Sequence, residues 1–188
     1  EERIRANCRM YIQAFHKHFG WNALPLYASK AASFRRIYQI MAEEGMGVDV
    51  VSSGELYTAL SAGFPAENIY FHGNCKTDAD LTLGVQRGIG CFIVDNREEL
   101  LSLDRIAGEA GVTQKIMLRV TPGIDPHTYE AVSTGKVDSK FGAAVETGQA
   151  MEQVKLALAQ PHLSLRGLHC HVGSQVFGED VYQRTLDI

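Results

Sequence analysis

The chain has 188 residues, of which 45% are hydrophobic and 21% are charged. This composition is typical of a globular protein that buries a full hydrophobic core. The formal net charge of −4 gives no electrostatic reason to expect binding to nucleic acid or to an anionic membrane, and no apolar run approaches the roughly 20 residues of a membrane span. The four cysteines stand far apart without a C-x-x-C pair, so we expect neither zinc nor a disulfide framework, and a cytoplasmic location.

The N-terminal segment has the apolar spacing of an amphipathic helix. Its predicted buried face consists of Ile4, Cys8, Tyr11, Ile12, Phe15 and Phe19. Beyond it, apolar runs predict strands at residues 23–27, 48–51, 69–71, 91–94, 115–120 and 165–171. Helices are predicted to begin near Ser33, at Ser52, Thr77 and Asn96, and near Glu146 and Asp180. Three of them have the spacing of a capping box, in the pairs Ser52–Glu55, Thr77–Asp80 and Asn96–Glu99.

Apolar strands that alternate with capped helices predict βαβ units and a parallel sheet. A doubly wound dinucleotide fold would place G-x-G-x-x-G after the first strand, but residues 28–32 read Ala-Ser-Lys-Ala-Ala. We therefore predict an α/β fold of the parallel (β/α)8 TIM type, with about six of its eight strands, because a complete barrel takes about 250 residues. The chain starts and stops inside predicted helices, so we expect residues 1–188 to be a barrel domain truncated at both ends.

The segment 121–142 interrupts this alternation and is rich in Gly, Pro, Asp, Ser and Thr. Loops of this length in compact domains are usually functional or disordered. This one follows the fifth strand, on the face where a barrel enzyme has its active site.

The predicted strand ends supply the candidate functional residues Lys30, Asp49, His72, Asp95, Arg119 and His171. A lysine at the carboxyl end of a barrel strand can form a Schiff base with an aldehyde cofactor, although a lysine in such a position is more often simply solvated. Asp49 and Asp95 have alternative roles as helix caps or loop anchors, and Arg119 as a structural ion-pair partner.

His169 and His171 alternate along the last predicted strand, so both imidazoles are expected on one face. One interpretation is a divalent metal site, although the lysine and arginine at other strand ends would repel a cation. The other is an imidazole that lies against an aromatic cofactor, with the following Val172-Gly173-Ser174 close to a phosphate.

Several stretches then resemble, in order, the diaminopimelate decarboxylases of the alanine-racemase-like (fold type III) pyridoxal-phosphate enzymes. They are YASKA (27–31), GVDVVSSGEL (47–56), AGFP and IYFHGNCK (62–76), LRVTPGIDPHTY (118–129), TGKVDSKFG (134–142) and GLHCHVGSQVF (167–177). The stretches FHGN-x-K, DSKFG and GLHCHVGSQ favour this group over the related ornithine and arginine decarboxylases. One departure is Ala32, where the family often has asparagine.

The resemblance implies pyridoxal 5′-phosphate as cofactor, a homodimer, and an N-terminal barrel followed by a β-domain. By resemblance, Lys30 is the Schiff-base lysine, His171 stacks on the pyridine ring, Ser174 lies near the phosphate and Arg119 lies near the cofactor. Asp49 is counted with these cofactor residues. His72, Asn74 and Lys140 match family motifs and are expected near the site, and no metal is expected. By the same resemblance, the glycine-rich phosphate loop, the glutamate for the pyridine nitrogen, the cysteine given across the dimer and the C-terminal β-domain are expected beyond residue 188. We therefore expect residues 1–188 to be inactive alone.

The function that this resemblance implies is decarboxylation of meso-2,6-diaminopimelate to L-lysine and carbon dioxide, the last step of lysine biosynthesis. The alternatives are a related decarboxylase of a basic amino acid, a non-catalytic protein that only carries pyridoxal phosphate, and a metal-dependent barrel hydrolase that uses His169 and His171.

Overall fold

The structure is a computed structural model that describes residues 1–123, 141–174, 176 and 180–188. Over these residues the chain divides into two compact units, Glu1–Phe92 and Ile93–Ile188. Each unit alternates strands with helices, and all of the described strand pairs are parallel. The predicted parallel α/β fold is therefore confirmed. Among the described residues, no helix has both the length and the apolar character that crossing a membrane requires.

In the first unit, four helices alternate with the strands. They are α1 (Glu2–Phe19), β1 (Leu26–Ala28), α2 (Arg35–Glu43), β2 (Gly47–Val50), α3 (Ser53–Ser61), β3 (Ile69–Phe71) and α4 (Asp78–Gln86), with β4 (Cys91–Val94) at the boundary. The strands pair in chain order, with Ala28 opposite Asp49 and Asp49 opposite Tyr70. Their apolar side chains form a core in which Val48, Val50, Ile69, Phe71 and Phe92 are completely buried.

The first strand begins later than predicted, at Leu26 rather than at residue 23. Pro25 lies directly before it and has no N–H to donate to a neighbouring strand, although its carbonyl oxygen accepts a hydrogen bond from the Gly47 N–H at 3.0 Å. The strand ends at Ala28. Lys30 lies in the 3-10 turn Ser29–Ala31 that follows it.

The predicted apolar face of α1 is only partly buried. Cys8 is 4% exposed, whereas Tyr11 is 54% and Phe19 is 73% exposed. A largely apolar cavity of about 410 Å³ lies between α1 and β1, and ion pairs such as Arg5–Glu44 at 2.8 Å join α1 to α2. Charged contacts as well as apolar packing therefore hold α1 on this unit.

The second unit continues the alternation. Its elements are α5 (Arg97–Glu109), β5 (Gln114–Thr121), β6 (Ala143–Ala144), α6 (Gln149–Leu158), β7 (Leu163–His169) and α7 (Asp180–Leu186). The short strand β6 was not predicted. Strand β7 ends at His169 rather than at His171, because its pairing with β5 stops where Arg119 lies opposite His169. The next residues of β5, Val120 and Thr121, pair with β6 instead.

The three helix starts with capping-box spacing, at Ser52, Thr77 and Asn96, are confirmed as N-caps, but only the one at Thr77 forms a full capping box. In α4, Thr77 and Asp80 exchange hydrogen bonds in both directions. In α3 and α5 the N-cap side chain accepts the expected bond from the Glu55 or Glu99 N–H. Each glutamate carboxylate, however, accepts from the residue before the cap. The capping-box prediction is therefore wrong for the carboxylates of Glu55 and Glu99, which anchor the ends of the preceding strands.

Candidate functional site

Lys30 extends from the turn at the carboxyl end of β1, and its side chain is exposed. The neighbouring Ser29 is completely buried. Because Ala28 is in register with Asp49, this turn lies beside the end of β2. An accessible amine at the carboxyl end of a strand can condense with an aldehyde.

The turn that carries Lys30 is tied to the next strand by one carboxylate. The Ser29 hydroxyl donates a short hydrogen bond to Glu55 Oε2. The same oxygen accepts the Val51 N–H at 2.8 Å, directly after β2. The Glu55 N–H in turn donates to the Ser52 hydroxyl at 3.2 Å. The start of α3 therefore connects the Lys30 turn with the end of β2.

Two predicted site residues, Asp49 and His72, meet at the ends of neighbouring strands. His72 Nε2 lies 3.9 Å from Asp49 Oδ2, and the two side chains are 12% and 21% exposed. That separation is longer than a direct hydrogen bond. The His72 N–H donates to the Val50 carbonyl at 2.8 Å, which extends the β2–β3 pairing beyond the strand. Asp49 forms no helix cap in the structure; it lies opposite an imidazole instead.

Asn74 is exposed and lines a cavity of about 330 Å³ formed by the connections that follow β2 and β3. Lys76 lies in the same wall and donates a short hydrogen bond to the Gly73 carbonyl, while its amine is 5.9 Å from the centre of the Phe71 ring. The FHGN-x-K stretch thus folds into a compact polar loop on the first unit.

In the second unit, Arg119 forms an ion pair with Asp95, which matches the structural role that the sequence offered as an alternative. Its Nη1 lies 3.6 Å from Asp95 Oδ1, with the side chains 12% and 5% exposed. The guanidinium carbon is 4.2 Å from the centre of the Phe141 ring, a distance at which a cation is attracted to the ring face. The side chain of Arg119 is therefore positioned by both Asp95 and the Phe141 ring.

Asp95 also anchors the chain where it returns from the long segment after β5. The Gly142 N–H donates to Asp95 Oδ2 at 3.3 Å, and the Thr121 hydroxyl donates to the Phe141 carbonyl at 2.6 Å. Gly142 has φ +67°, and a Cβ there would lie 2.7 Å from the Arg119 carbonyl oxygen. The loop-anchor interpretation of Asp95 matches these contacts.

His169 lies opposite Arg119 in the β5–β7 register. Burial, followed by the electrostatic influence of Arg119 and then of His171, lowers the pKa of His169 to about 4. The imidazole is therefore neutral at neutral pH.

Strand β7 ends at His169, so His171 lies beyond the strand that was predicted to hold both residues, and it is exposed. That the two imidazoles share a face stays a prediction. Over residues 1–123, 141–174, 176 and 180–188, no group of three or more His, Cys, Asp or Glu is arranged to hold a metal ion.

The remaining predicted residues are only partly described. Ser174 is exposed at the end of the described stretch 141–174, two residues after the buried Val172. Lys140 lies outside the described residues. Sequence reasoning missed Ser29 and the carboxylate of Glu55, and the only available signal was the glutamate three residues after a helix cap.

Comparison with known proteins identifies relatives over almost the whole chain. It is 44% identical over 174 residues to a diaminopimelate decarboxylase of Bacillus subtilis (strain 168), covering 93% of this chain and 39% of that protein. It is 42% identical over 188 residues to the same enzyme of Staphylococcus aureus (strain COL), covering 100% and 44%. The crystal structure of diaminopimelate decarboxylase from M. jannaschii in complex with L-lysine matches with a TM-score of 0.86 and 34% identity, over 98% of this chain and 44% of that one.

The chain therefore spans about two fifths of the length of these relatives, and the likeness in structure agrees with the predicted barrel-type fold. The sequence model of one family, described as the pyridoxal-binding domain of pyridoxal-dependent decarboxylases, matches residues 2–187. Since that match leaves out only the terminal residues, this chain belongs to the family of pyridoxal-dependent decarboxylases.

Proposed function

We propose that the protein containing this chain decarboxylates meso-2,6-diaminopimelate to L-lysine and carbon dioxide with pyridoxal 5′-phosphate. The observation that carries the proposal is the exposed Lys30 at the carboxyl end of β1 in a chain of the pyridoxal-dependent decarboxylase family. The substrate is proposed from the relatives, which are named diaminopimelate decarboxylases at 42–47% identity.

The donor groups of the described residues fit such a cofactor. The exposed Lys30 amine suits an aldehyde, and the Ser174 hydroxyl, also exposed, suits a phosphate oxygen. His171 is exposed and offers a ring face for an aromatic ring. Bound pyridoxal phosphate supplies a conjugated ring that accepts the electron pair released when the substrate carboxylate leaves as carbon dioxide.

The protein's contribution is binding and orientation. Lys30 holds the cofactor covalently, His171 orients its ring and Ser174 binds its phosphate. Arg119 adds a positive charge near the cofactor from a side chain already fixed by Asp95 and Phe141. Holding reactants in one geometry removes part of the entropic cost of the reaction.

The remaining residues that match family motifs are proposed to surround the cofactor. Asp49 with His72 provides a carboxylate and an imidazole close to the Lys30 turn. Asn74 and Lys140 are proposed as neighbours of the site, with no individual step assigned.

Direct tests of the activity use the complete protein supplied with pyridoxal phosphate. We expect carbon dioxide release from meso-diaminopimelate and little from L-ornithine, L-arginine or L-lysine. Borohydride reduction followed by peptide mapping is expected to find the cofactor on Lys30, and Lys30→Ala to abolish both signals. Reduced cofactor on a peptide without Lys30, or a preference for another amino acid, contradicts the proposal.

We further propose a homodimer, a β-domain that follows the barrel, and a cytoplasmic location, because these accompany the enzyme that the chain resembles. Sedimentation of the complete protein at several concentrations tests the dimer. A monomer at all concentrations, with full activity, contradicts it.

A further inference from the structure

We infer that Ser29 and Glu55 are positioning residues for Lys30, acting through the backbone of the 3-10 turn rather than on the cofactor. This inference rests on the proposed function, because it takes Lys30 as the residue that binds the cofactor covalently. Condensation there forms a C=N bond between the Lys30 amine and the aldehyde carbon, and the aldehyde oxygen leaves as water.

One carboxylate oxygen of Glu55 accepts two hydrogen bonds. Glu55 Oε2 accepts from the Ser29 hydroxyl and from the Val51 N–H, so one rigid helix start contacts both the Lys30 turn and the end of β2. Ser29 is 0% exposed. A buried hydroxyl without its partner is costly, which favours a single orientation of the turn.

Fixing this turn matters because Lys30 itself is exposed. A lysine side chain is a flexible four-carbon stem, so the position of its amine depends on where the backbone directs the Cα–Cβ bond. Other contacts close the turn internally, namely Ala32 N–H to the Ser29 carbonyl at 3.1 Å and the Tyr27 hydroxyl to the Ala32 carbonyl at 3.0 Å. The bond from Ser29 to Glu55 is different, because it fixes the turn relative to α3 and β2.

Helix capping alone does not explain the Glu55 carboxylate. In α4 of the same unit, the Asp80 carboxylate accepts the N–H of its own N-cap residue, Thr77, at 2.9 Å. In α3 the cap is made by the Glu55 N–H and the Ser52 hydroxyl, and the carboxylate is directed to Ser29 and Val51. Capping and positioning are therefore carried by different atoms of Glu55 and are separable by mutation.

The test compares two substitutions that each delete one serine hydroxyl bonded to Glu55. Ser29→Ala removes the bond to the carboxylate and leaves the cap. Ser52→Ala removes the cap and leaves the bond to Ser29. Each variant of the complete protein is stripped of cofactor and mixed with pyridoxal 5′-phosphate, and the rate at which borohydride traps it on Lys30 is followed by mass spectrometry.

We expect Ser29→Ala to slow trapping on Lys30 roughly tenfold, as for the loss of one buried hydrogen bond, and Ser52→Ala to change it less than about twofold while lowering the thermal midpoint. Equal rates in wild type and Ser29→Ala overturn the inference, as does an equal slowing in both variants, which would indicate general loosening of the unit. Trapping outside Lys30 in the wild type would instead overturn the proposed function.

A second measurement guards against a Ser29→Ala variant that fails to fold. Glu55→Gln keeps an oxygen that can accept both bonds but removes the charge, so we expect it to trap the cofactor on Lys30 more slowly than the wild type, by less than about tenfold, whether or not Ser29→Ala folds. Where Ser29→Ala folds, the double variant with Ser29→Ala and Glu55→Gln is expected to trap the cofactor no more slowly than Ser29→Ala alone, because both changes act on one interaction. Multiplicative slowing in the double variant contradicts a shared positioning role.

Discussion

The first turns of α3 and α5 share a hydrogen-bond pattern, yet each unit uses it to hold a different kind of group. In the first unit, Ser52 caps α3 by accepting the Glu55 N–H, and the Glu55 carboxylate accepts the Val51 N–H after β2. The additional bond from Ser29 means that this pattern fixes a turn with an exposed amine.

In the second unit, Asn96 caps α5 by accepting the Glu99 N–H at 2.9 Å, and the Glu99 carboxylate accepts the Asp95 N–H at 3.2 Å. The residue fixed here is itself a carboxylate, 5% exposed, that pairs with Arg119 and the Gly142 N–H. The same local sequence logic thus presents a reactive side chain in one unit and builds a buried electrostatic anchor in the other. The consequences of mutation should differ accordingly.

Asp95→Ala is expected to have the largest effect on stability, because it removes a carboxylate that pairs with the mostly buried guanidinium of Arg119. Breaking a buried pair from one side typically costs about 3 kcal/mol or more. Urea unfolding of the complete protein measures this loss. Asp95→Asn, which retains an acceptor for the Gly142 N–H, should lose less, and a cost below about 1 kcal/mol for Asp95→Ala would contradict the buried-anchor interpretation.

Much of this comparison was accessible from the sequence, because strand ends and helix caps are local patterns. Alternation of apolar runs and caps predicted the parallel βα units. The candidates Asp49, His72, Asp95 and Arg119 all lie within about two residues of the end of a strand. The partners were less accessible, since Asp95 and Gly142 are 47 positions apart and no local pattern specifies such a contact.

The errors also have physical reasons. The missing donor of Pro25 shifted β1, and the end of the β5–β7 register at His169 left His171 outside the strand. The carboxylates of Glu55 and Glu99 looked like ordinary capping-box members because the sequence does not show which nearby N–H each will reach.

Gly142→Ala is expected to cost about 2 kcal/mol, since its backbone lies at φ +67° and the added Cβ would be 2.7 Å from the Arg119 carbonyl oxygen. Gly111 is a matched control in the same unit, with φ +68° and nothing within 4 Å of its added Cβ. Gly111→Ala should therefore show only the left-handed backbone cost of about 1 kcal/mol. If Gly142→Ala and Gly111→Ala lose the same unfolding free energy, the backbone at Gly142 is not tightly packed on β5.

His169 should give the second unit a pH dependence. Its folded-state pKa of about 4 lies below the ordinary histidine value of 6.5, so the unfolded chain binds the proton more readily between these pH values. Stability from this group is present above about pH 6.5 and falls as the pH decreases toward 4, by at most about 1.4 kcal/mol per pH unit. His169→Gln should flatten the dependence of unfolding free energy on pH in that window, and an unchanged slope would contradict it.

The smallest predicted effect comes from removing the N-cap side chains of α3 and α5. It tests the cap that the two helices share separately from the groups that their glutamate carboxylates hold. Ser52→Ala and Asn96→Ala each remove a side-chain oxygen that accepts the N–H of the following glutamate, and loss of an N-cap costs about 1 kcal/mol. If the caps are equivalent, both variants should lose similar unfolding free energy, and the reactivity of Lys30 should be unchanged in either. A loss at Asn96 well above that at Ser52 would mean that the α5 cap supports the buried Asp95 pair directly. The two helix starts would then differ in the cap as well as in the group that the carboxylate holds.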